Sequence, residues 1–166
     1  EQGIPVITFN SDAPGSRRLA FIGMDNYRAG QTAAGLLRLM LPTGGKVLPL
    51  AGHLNNTAHN NRLNGFMDTI NGETGNEIEL LAFQPCFDRD DYAHEITQHA
   101  LRANPDLTGI YVASNGQVGA CAAVEEEGRK GKVKVVAFDL NPMNMELLQS
   151  DSLSFVLDQK AFEQGY

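Results

Sequence analysis

A disulfide framework, long apolar runs and a basic charge excess are all missing from this sequence, and each absence excludes a class of protein. Only two cysteines occur, Cys86 and Cys121. We expect both to be small buried apolar groups, which mildly favours a reducing compartment. No apolar run approaches the roughly 20 residues that a membrane helix needs, so no membrane partner is expected. The net charge of −7 argues against binding of nucleic-acid phosphates by this chain itself.

Catalytic and metal-binding motifs are also missing. No Walker-type phosphate loop, dinucleotide-binding glycine pattern or G-x-S-x-G turn is present. The segment HEITQH resembles the zinc-protease motif H-E-x-x-H, but His94 and His99 are spaced i, i+5. That spacing separates them by about 140° around a helix, so they cannot share one metal. His53 and His59 have no obvious third ligand. We therefore expect no enzymatic activity, no metal site and no cofactor.

Short apolar runs alternate with helical patterns along the whole chain. The predicted strands are residues 4–9, 19–22, 46–51, 78–83, 109–113, 133–138 and 154–157. The predicted helices are residues 26–41, 57–70, 90–103, 117–127 and 143–149. Solidly apolar strands such as KVVAF are typical of a parallel sheet that is buried on both faces. The sequence therefore predicts a three-layer αβα fold with a Rossmann-like parallel sheet. The inner face of helix 90–103 is expected to carry Tyr92, Ile96, Ala100 and Ala103.

Polar side chains follow the predicted strands at the points where the strands end. The carboxyl ends of parallel strands lie on one edge of a sheet, and open α/β folds bind ligands at that edge. The candidates are Asn10, Arg62, Phe87, Asn115, Asp139 and Gln159. Carboxylates accept from hydroxyls, guanidinium groups donate to oxygens and amides do both. An aromatic ring can cover the apolar face of a sugar. This set of residue types therefore favours a neutral polyhydroxylated ligand.

Five of these six candidates also have a purely structural interpretation. Asp139 could cap the following helix or form an Asx turn, and Asn115 could cap its own helix. Arg62 and Gln159 could be solvated surface residues. Phe87 could pack in the core or in a loop. The strand-end pattern alone leaves these alternatives open.

Six segments occur in a recognisable order and spacing: GIPVITFNSD, GMDNYRAGQTAAGLL, HNNRLNGF, NPDLTGIYVASN, VVAFDLNP and LDQKAFEQGY. Together they resemble the sugar-binding type I periplasmic binding proteins and the effector domains of LacI/GalR-type transcription regulators. The resemblance covers essentially the whole chain. It implies two similar α/β lobes around a cleft, joined by three crossing segments. Residues 1–23 would then be a remnant of the first lobe with one hinge crossing. Residues 24–158 would form the second, C-terminal lobe, and residues 159–166 would begin the crossing back.

The resemblance also implies roles for particular residues. It implies second-lobe ligand contacts at these positions: Arg62, Asn115, Asp139 and Gln159. Phe87 lies near a family ring position. At the strand end of the first lobe many sugar binders carry an Asp-Arg pair, where this sequence has Asn10 and Ser11.

The leading hypothesis is the non-enzymatic effector domain of a LacI-type transcription regulator. Such a domain would bind a sugar or sugar derivative by lobe closure and reside in the cytoplasm. It would contact DNA only through a missing N-terminal helix-turn-helix and would form a homodimer at full length. The alternative is a periplasmic sugar-binding protein of an ABC transporter, or the ectodomain of a sensor kinase. An enzyme acting on sugars or nucleosides is a third class.

Overall fold

A parallel β-sheet with helices on both faces forms the main body of the protein. The computed structural model describes residues 4–53, 55–72 and 77–165. The strands in these ranges are β1 (Ile7–Phe9), β2 (Ala20–Ile22), β3 (Gly45–Ala51), β4 (Ile78–Leu80), β5 (Gln84–Pro85), β6 (Leu107–Val112), β7 (Lys134–Phe138) and β8 (Phe155–Leu157). The helices are α1 (Asn26–Met40), α2 (Thr57–Gly72), α3 (Asp90–Ala103), α4 (Gln117–Glu126), α5 (Pro142–Gln149) and α6 (Ala161–Gly165). The predicted three-layer α/β fold is confirmed.

The strand order explains which loops lie next to one another. The larger sheet has the order β4–β3–β6–β7–β8, and β5 pairs with the end of β3. All of these pairings are parallel. The carboxyl ends of the strands therefore share one edge, as the alternation of strands and helices predicts. β1 and β2 pair with each other in a separate two-stranded parallel sheet.

The core is divided between the two faces of the sheet because successive side chains of a strand point to opposite faces. Ile110 packs in the cluster beneath α3 and α4, and its neighbour Tyr111 packs in the cluster beneath α1 and α2. The Tyr111 ring stacks on Phe66 with a centroid distance of 3.9 Å. Cys86 and Cys121 are free and buried, as expected, and burial raises the pKa of the Cys121 thiol to about 12.

Two glycines allow α1 and α2 to cross closely. A Cβ on Gly30 would stand 2.1 Å from the Arg62 carbonyl oxygen, and one on Gly65 would stand 2.0 Å from that of Tyr27. Both distances are far below a van der Waals contact, so no side chain fits at either position. The backbone of Arg62 is consequently held directly against α1.

Two expectations from the sequence differ from the structure. Residues 78–83 do not form one strand, because β4 pairs with the start of β3 and β5 pairs with its end, leaving a break between them. The predicted inner face of α3 is wrong in part, since Tyr92 is 41% exposed and Ala93 is fully buried. A Cβ on Gly119 of α4 would meet the carbonyl oxygen of Asp90 in α3 at 1.8 Å, so the two helices can pack this closely only because residue 119 is a glycine.

The predicted domain boundaries stay predictions. Residues 1–3 and 166, at the ends of the predicted flanking segments, lie outside the described residues. Within the described part of the chain, no helix combines the length and apolarity that a membrane crossing requires.

Candidate functional site

Arg62 is the centre of a polar group at the carboxyl edge of the sheet. Its side chain projects from α2, and the residue is only 3% exposed. The guanidinium donates from Nε to Asn26 Oδ1 at 2.7 Å, from Nη1 to the Ala113 carbonyl at 3.4 Å and from Nη2 to Gln159 Oε1. Its central carbon lies 4.2 Å from the centre of the Phe138 ring. Arg62 is therefore a buried, fixed donor rather than a solvated surface charge.

Asp139 is connected to this group through Gln159, whose Nε2 donates to Asp139 Oδ1. Asp139 has φ of 74°, in the left-handed region that Asp tolerates better than most residues. Its backbone N–H donates to the Leu157 carbonyl at 3.0 Å. The cap of α5 is Asn141, whose side chain accepts from the Asn144 backbone N–H at 2.8 Å. Asp139 is therefore not the helix cap, and its carboxylate is directed to the edge of the sheet.

The two charges at this edge differ in their surroundings. Burial lowers the pKa of Arg62, and the nearby Asp139 carboxylate opposes that shift. Arg62 remains cationic in any case because a guanidinium does not deprotonate in proteins. The amide of Gln159 accepts from one charged group and donates to the other. The site therefore presents donors and acceptors side by side.

Asn115 lies at the end of β6 with its side chain exposed. Its backbone N–H donates to Asp88 Oδ1 at 3.2 Å, and its carbonyl accepts from Cys86 Sγ at 3.3 Å. The residue at the N-cap position of α4 is Gly116, so the capping alternative for Asn115 does not apply. Asn115 therefore belongs to the same edge as Arg62 without being part of its hydrogen-bonded group.

Phe87 follows β5 and is 42% exposed, so it is not a core residue. Its φ of 56° is unusual for an aromatic residue and turns the chain sharply at this point. The ring centroid lies 5.5 Å from that of His53 and 5.8 Å from that of Tyr92. Two neighbouring rings thus support Phe87 from the sides.

Asn10 follows a strand of the small sheet, whereas Asn115, Asp139 and Gln159 follow strands of the larger sheet. It is exposed at the end of β1, with φ of 62°, and its backbone N–H donates to the Ile22 carbonyl at 3.0 Å. These contacts attach Asn10 to the small sheet. A cavity of about 370 Å³ lies between the small sheet and the N-terminal ends of α1 and α2, lined in part by Asp12, Phe21 and Asn61.

Three residues of this edge were not among the candidates from the sequence. Asn26 accepts from Arg62, and Phe138 lies beneath the guanidinium. His59 Nδ1 lies 4.0 Å from Asp88 Oδ1. Burial lowers the pKa of His59 below its ordinary value, and the Asp88 carboxylate opposes this shift. The i, i+3 spacing of His59 and Arg62 on one helix was a usable signal. Among the described residues, no group of three or more His, Cys, Asp or Glu is arranged to hold a metal ion.

Comparison with known families identifies the family of this chain. The model of the family described as "Periplasmic binding protein domain" matches residues 1–166. The chain belongs to this family. The resemblance to type I periplasmic binding proteins that the sequence motifs indicated is confirmed.

Relatives in the family are named for sugars. The ribose import binding protein RbsB of Escherichia coli (strain K12) is 28% identical over 161 residues, covering 96% of this chain and 53% of that protein. The D-allose-binding periplasmic protein of the same strain is 28% identical over 149 residues, covering 88% and 47%. The crystal structure of GanP, a glucose-galactose binding protein from Geobacillus stearothermophilus, superposes with a TM-score of 0.91 at 30% identity, covering 98% and 58%. This chain spans about half the length of the curated relatives it matches.

These relatives correct the predicted function. The effector domain of a LacI-type regulator was the wrong choice, because the relatives are sugar-binding proteins named for import or for the periplasm. The expected DNA contact and homodimer followed from the regulator hypothesis, and the relatives do not support them. The cytoplasm was predicted on the same basis, and the relatives favour the periplasmic alternative. The prediction of a non-enzymatic domain is confirmed, since the relatives are binding proteins.

Proposed function

We propose that this chain forms the second lobe of a periplasmic sugar-binding protein that captures a monosaccharide for import. The observation that carries the proposal is the hydrogen-bonded series Asn26–Arg62–Gln159–Asp139 at the carboxyl edge of the sheet. Relatives named for ribose, D-allose and glucose–galactose support a monosaccharide as the ligand.

The chemistry of this edge is suited to sugar hydroxyls, each of which both donates and accepts. Asp139 accepts, the Arg62 guanidinium donates, and the exposed amide of Asn115 can do both. Gln159 satisfies Arg62 and Asp139 together. Two adjacent hydroxyls can replace that amide, one accepting from Arg62 and the other donating to Asp139. A sugar that lacks either hydroxyl would lose a hydrogen bond to a charged group at this edge, which gives strong discrimination.

Phe87 supplies the apolar part of the proposed site. A pyranose or furanose has an apolar face of C–H groups that can pack on an aromatic ring. Phe87 is 42% exposed beside this edge and is held laterally by His53 and Tyr92. Its role would be to fix the plane of the sugar while the polar groups select the hydroxyls.

The other half of the site would come from the first lobe. Residues 1–23, including the small sheet of β1 and β2, would belong to that lobe and to the first crossing, and residues 159–166 would begin the return crossing. Asn10 would then face the ligand from the opposite side of the cleft. Because half of the contacts would be missing, we expect this chain alone to bind sugar weakly.

A thermal-shift screen of the native-length protein tests the proposal. The ligands are D-ribose, D-allose, D-glucose and D-galactose, with mannitol at equal concentration as the control for nonspecific effects. A ligand that binds only the folded state stabilises it by about 2.7 kcal/mol at 100 times its Kd, so at least one sugar should raise Tm clearly. An unchanged Tm with every sugar, together with no heat of binding in calorimetry, would contradict the proposal.

A further inference from the structure

Two buried amides lie directly behind Asp139. Asn144 on α5 is fully buried, and Gln117 at the start of α4 is 5% exposed. Gln117 Nε2 donates to Asn144 Oδ1 at 3.0 Å. Asn144 Nδ2 donates to two successive backbone carbonyls, that of Phe138 at 2.9 Å and that of Asp139 at 2.7 Å. Neither amide belongs to the group around Arg62.

The orientation of the Asn144 side chain is fixed by its neighbours. The carbonyls of Phe138 and Asp139 can only accept, so the NH2 group of Asn144 must face them. The Oδ1 atom then faces Gln117, which supplies the donor. Asn141 caps α5 and satisfies the Asn144 backbone N–H, which leaves the side chain free to reach back toward β7. A single arrangement of both amides satisfies these contacts.

The carbonyls that Asn144 holds are those on either side of the strained residue. Asp139 has φ of 74°, a region that Asp visits more readily than most residues but that still costs free energy unless its neighbours hold it in place. The Asn144 amide connects the carbonyl before the Asp139 N–H to the carbonyl after its Cα. Rotation of Asp139 into the extended region would turn these carbonyls apart and break at least one contact.

Gln117 carries an additional sign that the pair does more than fill space. Its Oε1 is buried and has no hydrogen-bond partner among the described residues. A buried acceptor without a partner is unfavourable, and an apolar side chain of similar shape would avoid that cost. The residue is therefore better explained by what its NH2 group does for Asn144.

We infer that Asn144, oriented by Gln117, is a positioning residue that sets the direction of the Asp139 carboxylate and thereby selects the configuration of the sugar hydroxyl that Asp139 accepts. The sugar selectivity rests on the function proposed above. The positioning of Asp139 does not depend on it.

Asn144→Ala in the native-length protein removes both donors to the strand end. Crystal structures of wild type and variant show directly whether the backbone and carboxylate of Asp139 have moved. We expect residue 139 to leave the left-handed region, or its carboxylate to lose the hydrogen bond from Gln159. A variant that keeps φ near 74° and keeps this hydrogen bond overturns the inference. If Asn144→Ala does not fold, Gln117→Met removes the orienting donor at nearly constant volume and should give the same displacement.

Calorimetry measures the selectivity, with the sugar identified in the thermal-shift screen and its single-deoxy analogues as ligands. In Asn144→Ala we expect affinity for the sugar to fall about tenfold, while its preference over the deoxy analogue lacking the hydroxyl at Asp139 falls at least fivefold. Ser150→Ala is the matched control, because it removes side-chain hydrogen bonds at the C-terminal end of α5 and touches neither Asn144 nor Asp139. It should leave the preference within twofold.

The outcomes separate the two claims. An equal loss of preference in Ser150→Ala and Asn144→Ala would mean that Asn144 contributes only to stability, and it would overturn the inference. If the wild-type protein binds no sugar at all, the proposed function fails, and the crystal structures still decide whether Asn144 positions Asp139.

Discussion

Arg62 and Gln159 lie 97 residues apart in the sequence and are joined by a hydrogen bond from the guanidinium Nη2 to the amide Oε1. The bond connects α2 with the segment that follows β8. The same guanidinium reaches the carbonyl of Ala113 at the end of β6 and the ring of Phe138 at the end of β7. Because β6, β7 and β8 are neighbours in the sheet, one side chain spans three strand ends. Replacement of Arg62 should therefore affect both stability and binding.

Arg62→Lys should lower the free energy of unfolding. A lysine ammonium keeps the charge but cannot direct donors at Asn26, Ala113 and Gln159 in one plane. Loss of one hydrogen bond to a charged group costs about 1.5–3 kcal/mol, and we expect a decrease of at least that size in urea denaturation. Arg28→Lys is the control, since the Arg28 side chain is 82% exposed, and it should leave the urea midpoint unchanged. Equal urea midpoints for both variants would show that the planar arrangement of the Arg62 donors does not contribute to stability.

Asp139→Asn should weaken sugar binding with little change in fold. Asparagine tolerates the left-handed backbone, but it lacks the charge that strengthens a hydrogen bond from a hydroxyl. A loss of about 1.5–3 kcal/mol corresponds to a Kd that rises roughly 10- to 100-fold in calorimetry of the native-length protein. Asp151→Asn is a matched control, because Asp151 is exposed and also has positive φ, 58°, at the C-terminal end of α5. A Kd that is unaffected by Asp139→Asn would exclude the carboxylate as a ligand contact.

Gly30→Ala and Gly35→Ala in α1 should have opposite effects on stability. A Cβ at Gly30 would meet the Arg62 carbonyl at 2.1 Å and push α2 away from α1, whereas a Cβ at Gly35 has nothing within 4 Å. We expect a loss of about 1–3 kcal/mol for Gly30→Ala from overpacking. Gly35→Ala should gain roughly 0.5–1 kcal/mol from helix propensity. Urea denaturation measures both, and two changes of the same sign would mean that the helix crossing is looser than described.

Stability should fall below neutral pH in a manner that depends on His59. Burial lowers the pKa of His59 from its ordinary 6.5, with the Arg62 guanidinium adding to this effect and the Asp88 carboxylate opposing it. The unfolded chain therefore binds a proton at a higher pH than the folded chain does. The contribution of His59 is fully present above pH 6.5 and is lost as the pH falls toward the folded-state pKa, with a slope of up to about 1.4 kcal/mol per pH unit.

The variant His59→Gln should remove this part of the pH dependence. Between pH 5 and pH 7, the free energy of unfolding measured by urea should change less with pH in His59→Gln than in wild type. The control His99→Gln, at an exposed position, should keep the pH dependence of wild type. A steeper slope in His59→Gln than in wild type would show that the sign of the shift is wrong.

The sequence could predict the edge on which the candidate residues lie, but not every contact there. Asp139, Asn115 and Gln159 each follow an apolar strand, and parallel topology brings such positions to one edge whatever the details of packing. Asn26 could not be found in this way, because its contact with Arg62 depends on how closely α1 crosses α2. The prediction of the inner face of α3 was wrong in part for the same reason, because it depends on how closely two helices pack. Tyr92 fits a helical apolar face, yet the close approach at Gly119 moves Ala93 inward instead.

The choice between a regulator and a transport protein could not be made from the residues of the lobe. Both classes use the same strand ends and the same polar groups for a sugar, so Arg62 and Asp139 do not distinguish them. The features that do distinguish them, a helix-turn-helix or a leader, lie outside the lobe. The names of the relatives, which refer to import or to the periplasm, favour the transport protein instead.

The most direct measurement is a crystal structure of the native-length protein with its sugar bound. We predict that sugar hydroxyls lie within hydrogen-bond distance of both the Arg62 guanidinium and the Asp139 carboxylate, with the ring packed on Phe87. A sugar bound elsewhere, with Gln159 bridging Arg62 and Asp139 as described above, would contradict the proposed site.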